Sequence, residues 1–410
     1  MAHTAQRAHI DSERLKHIQG ALRHRDLDGW LLYDYHATNP IAGRVIGLEE
    51  PLSRRYFVLI PAEGKPVALA HSLERPPWSE WSGAVRVYFT WQELEGALAE
   101  LLTPGQRIAV EYSETDRIPQ LDRVPAGVLD LIRRAGVHVA ESSELATLFA
   151  ATWTPAELES HRRASGILAN AAARAFKRAA EAVRGGVGLS EWELKEAILG
   201  LLVDRGLIEA DAIVGVGPNA ADGHYEPTPG GASPLVADQV LLIDLWGREP
   251  GSVFADQTWM GYLGTDVPDH IQRAWNTVRE ARDAAVAHIE GNFRDGERPL
   301  RGCDVDAASR GVIEKAGFGK NFNHRTGHAI DRDVHGLGPN IDGVETRDER
   351  TLLSGCAFSI EPGIYFQDEF GVRSEINVHL GDDGPEVTTP KPQSDIYRLL
   401  SEGWESSSNL

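Results

Sequence analysis

The pattern of apolar residues changes at Trp153-Thr154-Pro155, and no single architecture suits both sides of that point. Before it, short apolar runs alternate with amphipathic segments. Leu15, Ile18 and Leu22 recur at helical spacing, with Ser12 as the expected N-cap. The runs at 30–33, 56–60, 67–70 and 108–112 read as strands, whereas 94–102 and 128–132 read as helical. Strands alternating with helices predict an α/β domain over residues 1–153.

After that point, Pro155 opens an Ala/Arg/Glu-rich helix reaching Val183, with Thr154 as N-cap and Gly185-Gly186 as its stop. Ser190 and Glu193 form a capping-box pattern for a second helix. Extended segments follow at 213–216, 240–246, 253–262, 357–366 and 372–380, with helices at 270–290 and 304–315 among them. Helices grouped among hairpin-like strands predict an α+β domain with an antiparallel sheet over 154–402, followed by a frayed Ser-rich tail, 403–410.

Charge narrows the function. The 410 residues carry a formal net charge of −20, which repels nucleic acid and anionic membranes. Only two cysteines occur, Cys303 and Cys356, too few for a disulfide framework and consistent with a reducing cytoplasm. No apolar leader and no apolar stretch long enough to span a bilayer is visible.

Several polar residues sit where burial is expected. Asp244 ends the run Val240-Leu241-Leu242-Ile243, and Asp256 interrupts Val253-Phe254-Ala255. Glu361 follows Ala357-Phe358-Ser359-Ile360, and Glu375 sits within Gly371-Val372-Arg373-Ser374-Glu375-Ile376. A buried carboxylate is costly unless paired or metal-bound; the alternative is a solvated strand end. His324, His328 and His335 form a dense cluster, and imidazole serves both as metal ligand and as proton carrier. Four carboxylates and one histidine match the inventory for two divalent cations.

Thr326-Gly327-His328-Ala329-Ile330, Ser359-Ile360-Glu361-Pro362-Gly363 and Val372-Arg373-Ser374-Glu375 resemble the ligand motifs of the M24 metallopeptidases, the pita-bread fold family. The first domain resembles the N-terminal domain of the creatinase, prolidase and aminopeptidase P branch, with Asp28-Gly29-Trp30-Leu31-Leu32 as a weaker local motif. The resemblance implies an α+β pita-bread catalytic domain behind a smaller α/β creatinase-type domain. It implies that Asp244 and Asp256 hold one metal, that His328 and Glu361 complete the other, and that Asp256 and Glu375 bridge. It makes Glu361 a proton shuttle as well as a ligand. His224 and His335 become histidines that contact substrate and steady the tetrahedral intermediate. His324 and Arg373 are placed on the substrate, or beside the ligands.

Two departures stand out. Asp244 and Asp256 are twelve positions apart, one more than usual in the family, which predicts a bulge or a longer turn near Glu249-Pro250-Gly251. The acidic residues common after the last ligand are replaced by Ile376 and Asn377.

The intact ligand set argues against metal-free creatinase and against a binding module without catalysis. Arg347 resembles, by its offset from Glu361, the arginine of prolidases that takes a dipeptide's terminal carboxylate, with Arg350 as a competitor. The reading is therefore a cytoplasmic Xaa-Pro dipeptidase with two divalent ions, Mn²⁺ first and Co²⁺ or Zn²⁺ as substitutes. Its partner is a small peptide with proline after the scissile bond, and the family resemblance implies a homodimer. The alternative is aminopeptidase P; an M24 lyase ranks below both.

Overall fold

The first free N–H groups of several helices are satisfied by a side chain just ahead of the helix. In a computed structural model describing residues 6–295, 298–346 and 348–404, helix α1 (Ser12–His24) is capped by Asp11, not by Ser12. The Asp11 carboxylate accepts from the Glu13 and Arg14 amides at 2.9 and 2.8 Å, and Ser12 is the first helical residue. The chain divides into two compact units, Met1–Ala151 and Thr152–Leu410.

The first unit is built on a six-stranded mixed sheet. Its strands are β1 (Gly29–Asp34), β2 (Tyr56–Pro61), β3 (Val67–His71), β4 (Ala84–Tyr88), β5 (Arg107–Val110) and β6 (His138–Glu141), in the order β4-β3-β2-β1-β5-β6. Besides α1, its helices are α2 (Pro40–Ile46), α3 (Trp91–Leu101), α4 (Ala126–Arg134) and the short α5 (Ser143–Ala146). Strand β1 is buried along its whole length, so it reads as a continuous apolar run. Its Leu31 and Tyr33 pack with Leu94 and Leu98 of α3 and Ile132 of α4, while α1 and α2 also lie against β1.

The second unit opens with α6 (Pro155–Gly185). A capping box between Thr154 and Glu157 starts it, and Gly186 in the left-handed region ends it. A second capping box, Ser190 with Glu193, starts α7 (Glu191–Asp204). The central antiparallel strands are β7 (Ile208–Val216), β8 (Val240–Arg248) and β9 (Phe254–Tyr262). Two long helices follow, α8 (Asp269–Asp295) and α9 (Gly302–Lys315). Alternation along β8 and β9 sorts their side chains. Leu241, Ile243, Leu245, Ala255 and Trp259 pack with α6 and α7, whereas Val240, Leu242, Met260 and Tyr262 pack with α8.

The extended segments near the C-terminus differ from expectation. The first is two strands, β10 (Ala357–Ile360) and β11 (Gly363–Phe366), broken at Glu361-Pro362. The second is also two, β12 (Phe370–Arg373) and β13 (Ile376–Gly381), broken at Ser374-Glu375. Strand β13 pairs with β10 and with β14 (Gly384–Val387); β11 pairs with β12; β15 (Tyr397–Arg398) joins β9 in parallel. The tail expected to fray from 403 does not do so at its start, because Trp404 is buried in the core with Tyr397 beside it. Residues 405–410 lie outside the described residues. Among the described residues, no helix is long and apolar enough to cross a membrane.

Thr154→Ala removes the acceptor for the Glu157 amide and one partner of the Glu157 carboxylate. Chemical denaturation should show a loss of about 1 kcal/mol, with an unchanged far-ultraviolet spectrum.

Candidate metal centre

Parity in the β8–β9 hairpin brings the first two carboxylates together. The strands stay in register from Val240 opposite Tyr262 to Arg248 opposite Phe254, with Asp244 opposite Thr258 and Trp246 opposite Asp256. An even separation on a regular hairpin puts Asp244 and Asp256 on one face. No bulge is needed between them. The extra residue is taken up by the turn over 249–253, where Gly251 has φ +74°.

The other side of the site is held by a close backbone crossing. A Cβ on Gly327 would stand 2.0 Å from the Ser359 carbonyl oxygen, so only glycine lets the two segments meet. There the His328 amide donates to Ser359 Oγ at 2.9 Å, the Ser359 amide donates to the His328 carbonyl at 2.8 Å, and the Glu361 amide donates to the Thr326 carbonyl at 2.7 Å. Pro362 has no N–H to continue the ladder, so β10 ends and Glu361 leaves the sheet. Glu375 likewise occupies the gap between β12 and β13. Arg373 and Glu375 therefore do not share one strand, although both lie in the extended segment expected over 372–380; they meet through Thr258.

That meeting is a chain of hydrogen bonds. Arg373 Nε donates to Thr258 Oγ1 at 2.9 Å, and Thr258 Oγ1 donates to Glu375 Oε2 at 2.7 Å. Another guanidinium nitrogen of Arg373, Nη2, is bonded to Asp244 Oδ2. Arg373 lines the cavity, yet two of its nitrogens are committed to orienting the site's own groups.

One oxygen on each of three of these carboxylates is unpaired. Asp244 Oδ1, Asp256 Oδ1 and Glu375 Oε1 are buried without a hydrogen-bond partner. His328 Nδ1 lies 3.1 Å from the Ala329 carbonyl, which favours the N–H there and leaves the Nε2 lone pair free. Nε2 stands 3.5 Å from Asp256 Oδ2 and 3.4 Å from Glu361 Oε1. One ligand atom from each of Asp256, His328 and Glu375 lies within 4.8 Å of the others. Orphaned carboxylate oxygens converging with a free imidazole nitrogen are a donor set that fits divalent cations.

The electrostatics agree. Burial pushes the Asp244 carboxyl up to about 7 against the pull of Arg373. Burial also raises Asp256, against the pull of the neighbouring His328, and raises Glu375 strongly, with Asp256 and Glu361 adding to the rise. Glu361 goes the other way: burial is outweighed by His328, His324 and Arg373, and it is lowered. His328 is raised because Asp256 and Glu361 outweigh its burial.

These groups face a cavity of about 480 Å³. His224 and His335 also line it, with the His335 ring edge-on to His328 at a centroid distance of 4.4 Å. Burial, with His328 next, takes His335 down to about 4, so it is neutral at pH 7. His324 lies between Phe322 and Tyr365, with Nε2 2.9 Å from the Tyr365 hydroxyl and Nδ1 2.7 Å from the Arg325 carbonyl. Arg347 lies outside the described residues. Arg350 is buried, bonded to Asp348 and donating to the Leu337 and Gly338 carbonyls at 2.8 Å, which makes it a brace for its own loop.

Sequence reading alone does not single out Tyr365, which lines the cavity and holds His324. Its signal lies in two glycines. A Cβ on Gly363 would meet the Tyr365 hydroxyl at 2.4 Å, and one on Gly371 would meet the ring at 2.8 Å. Asn377, at a position where acidic residues are common, has its side-chain Oδ1 accepting from the Asp256 amide at 2.9 Å. Asn377 thus braces the Asp256 backbone without adding a negative charge.

Residues 159–382 match the profile of metallopeptidase family M24. The probable dipeptidase PepE of Mycobacterium tuberculosis (strain ATCC 25618 / H37Rv) is 26% identical over 340 residues, 82% of this chain and 83% of that protein. The Xaa-Pro dipeptidase of Lactobacillus helveticus is 31% identical over 209 residues, 49% of this chain and 50% of its own length. The crystal structure of dipeptidase PepE from Mycobacterium ulcerans superposes with a TM-score of 0.73 at 25% identity, covering 94% of this chain and 97% of that one. With the profile spanning more than half of its length and the pita-bread fold in place, the chain belongs to metallopeptidase family M24.

Proposed function

We propose that this protein is an Xaa-Pro dipeptidase that works with two divalent cations. The observation that carries the reading is the set of buried, unpartnered oxygens of Asp244, Asp256 and Glu375, converging with His328 Nε2 on one cavity. The M24 profile and the dipeptidase relatives supply the reaction class. Asp244, Asp256, His328, Glu361 and Glu375 would hold the two cations. Oxygen-rich donors suit Mn²⁺, with Co²⁺ or Zn²⁺ able to substitute. Two free cysteines, Cys303 and Cys356, support a cytoplasmic setting, and the homodimer rests on the family resemblance.

Bound there, the cations supply Lewis acidity that activates a water and polarises the scissile carbonyl. The chain supplies the rest. Glu361, held ionised by its cationic neighbours and oriented by Ser359 Oγ at 3.1 Å, takes up a proton and passes it to the leaving nitrogen. His335 remains neutral and offers one N–H to charge developing on the carbonyl oxygen. His224 and His324 border the peptide, with Tyr365 fixing the His324 ring. Arg347 takes the terminal carboxylate.

Three outcomes check this reading. Chelation should abolish hydrolysis of an Xaa-Pro dipeptide and Mn²⁺ should restore it. In the same assay Xaa-Pro-Yaa tripeptides should be cut poorly; equal rates on both would favour aminopeptidase P.

His335→Ala should lower kcat about 10²–10³-fold with little change in KM. Near-normal turnover with both metals bound would leave His335 a structural residue.

The third outcome concerns stability. A carboxyl with a raised folded pKa binds its proton more tightly when folded, so its favourable contribution is lost as pH climbs from the unfolded value to the folded one. For Asp244 that window runs from 3.8 to about 7. Metal-free protein should unfold at lower urea at about pH 8 than at about pH 5.5, and saturating Mn²⁺ should remove most of that difference. A metal-free protein equally stable at both would contradict the buried cluster.

A further inference from the structure

Glu191 is the first residue of α7 and is completely buried, yet it belongs to neither the metal cluster nor the cavity wall. Its carboxylate accepts five hydrogen bonds. Oε1 takes the Val216 amide at 2.7 Å and Asn219 Nδ2 at 3.0 Å. Oε2 takes Asn219 Nδ2 at 3.1 Å, the Tyr225 hydroxyl at 2.7 Å and the Ser233 amide at 2.8 Å. All four donors belong to one stretch, from the end of β7 to the loop before β8. The Glu191 amide closes the same junction by donating to the Ser233 carbonyl at 3.0 Å.

The placement of these donors matters more than their number. Ala221, Asp222, Gly223 and His224 line the cavity. Asn219 and Tyr225 are the two feet of that arc, and both are tied to one carboxylate. Within the arc, the His224 amide donates to Asp222 Oδ1 at 3.0 Å, and the Tyr225 amide donates to the Asp222 carbonyl at 3.1 Å. The His224 residue itself is exposed, and its ring makes no hydrogen bond among the described residues. What holds it at the cavity is therefore the backbone that carries it. A buried carboxylate held by five hydrogen bonds from four donors is a rigid base, since losing any donor leaves charge desolvated.

We infer that Glu191 is a positioning residue that fixes His224 at the cavity by tying both feet of its arc. This rests on the functional reading above, in which His224 meets the substrate. Glutamine at 191 keeps one acceptor oxygen and turns an NH₂ toward amide donors that cannot reverse. Tyr225→Phe deletes a single bond at the foot next to His224 and leaves the backbone donors in place.

The test uses the Mn²⁺-loaded protein and an Xaa-Pro dipeptide. Glu191→Gln should lower kcat/KM about tenfold and Tyr225→Phe about threefold. Each loss should shrink to less than about twofold in a His224→Ala background, because the residue being positioned is gone. Amide hydrogen exchange over 219–225 should accelerate in both variants, with bound metal unchanged. Losses that persist in full beside His224→Ala would make Glu191 merely structural and overturn the inference. Unchanged exchange over 219–225 in both variants would overturn it as well, whatever the activity. A wild type that cuts no Xaa-Pro peptide while the exchange result holds would instead overturn the functional reading and the substrate role of the arc.

Discussion

Three buried carboxylates, a half-buried fourth and a buried histidine face one cavity, and the second unit is arranged so that this arrangement can exist. Burial opposes the charge of such a cluster and neighbouring carboxylates add to the cost, as the raised pKa values of Asp244, Asp256 and Glu375 show. One guanidinium, Arg373, offsets part of that repulsion. The oxygens left unpaired are those that a divalent cation would satisfy. Stability and function are thus opposed in the metal-free protein and aligned in the loaded one.

Rigidity around the cluster comes from backbone rather than from long side chains. Glycine at 327 lets two segments touch, proline at 362 ends a strand beside Glu361, and Gly363 and Gly371 open the space that the Tyr365 ring fills. Each device sits within a few residues of a group that faces the cavity. Buried hubs further out do the same for loops. Asp306, which accepts from the Thr326 amide at 3.0 Å and its hydroxyl at 2.6 Å, secures the segment between His324 and His328. Glu191 secures the arc that carries His224.

Much of this was legible in the sequence. The capping boxes at Thr154 and Ser190 need only neighbours three residues apart, so their starts are local properties. The carboxylates announced themselves by interrupting apolar runs, and the motifs around His328, Glu361 and Glu375 carried the family. The breaks at Glu361-Pro362 and Ser374-Glu375 were not legible, because an apolar run with a carboxylate inside it looks the same whether the strand continues or stops. The cap at Asp11 was displaced by one residue for a similar reason: Ser and Asp both cap well, and only the geometry chose.

By itself, the sequence determined the kinds of elements, the division of patterning near Trp153, the family and the identity of the groups able to hold metal. Those follow from periodicity, capping chemistry and residue type, which act over a few positions. Tertiary structure alone decided which oxygens stayed unpaired, that Arg373 is bonded to Asp244 and Thr258, and that Tyr365 and Glu191 belong to the site's support. Each of those depends on contacts between residues from tens to more than a hundred positions apart, such as Arg373 with Asp244, and local pattern carries no record of them.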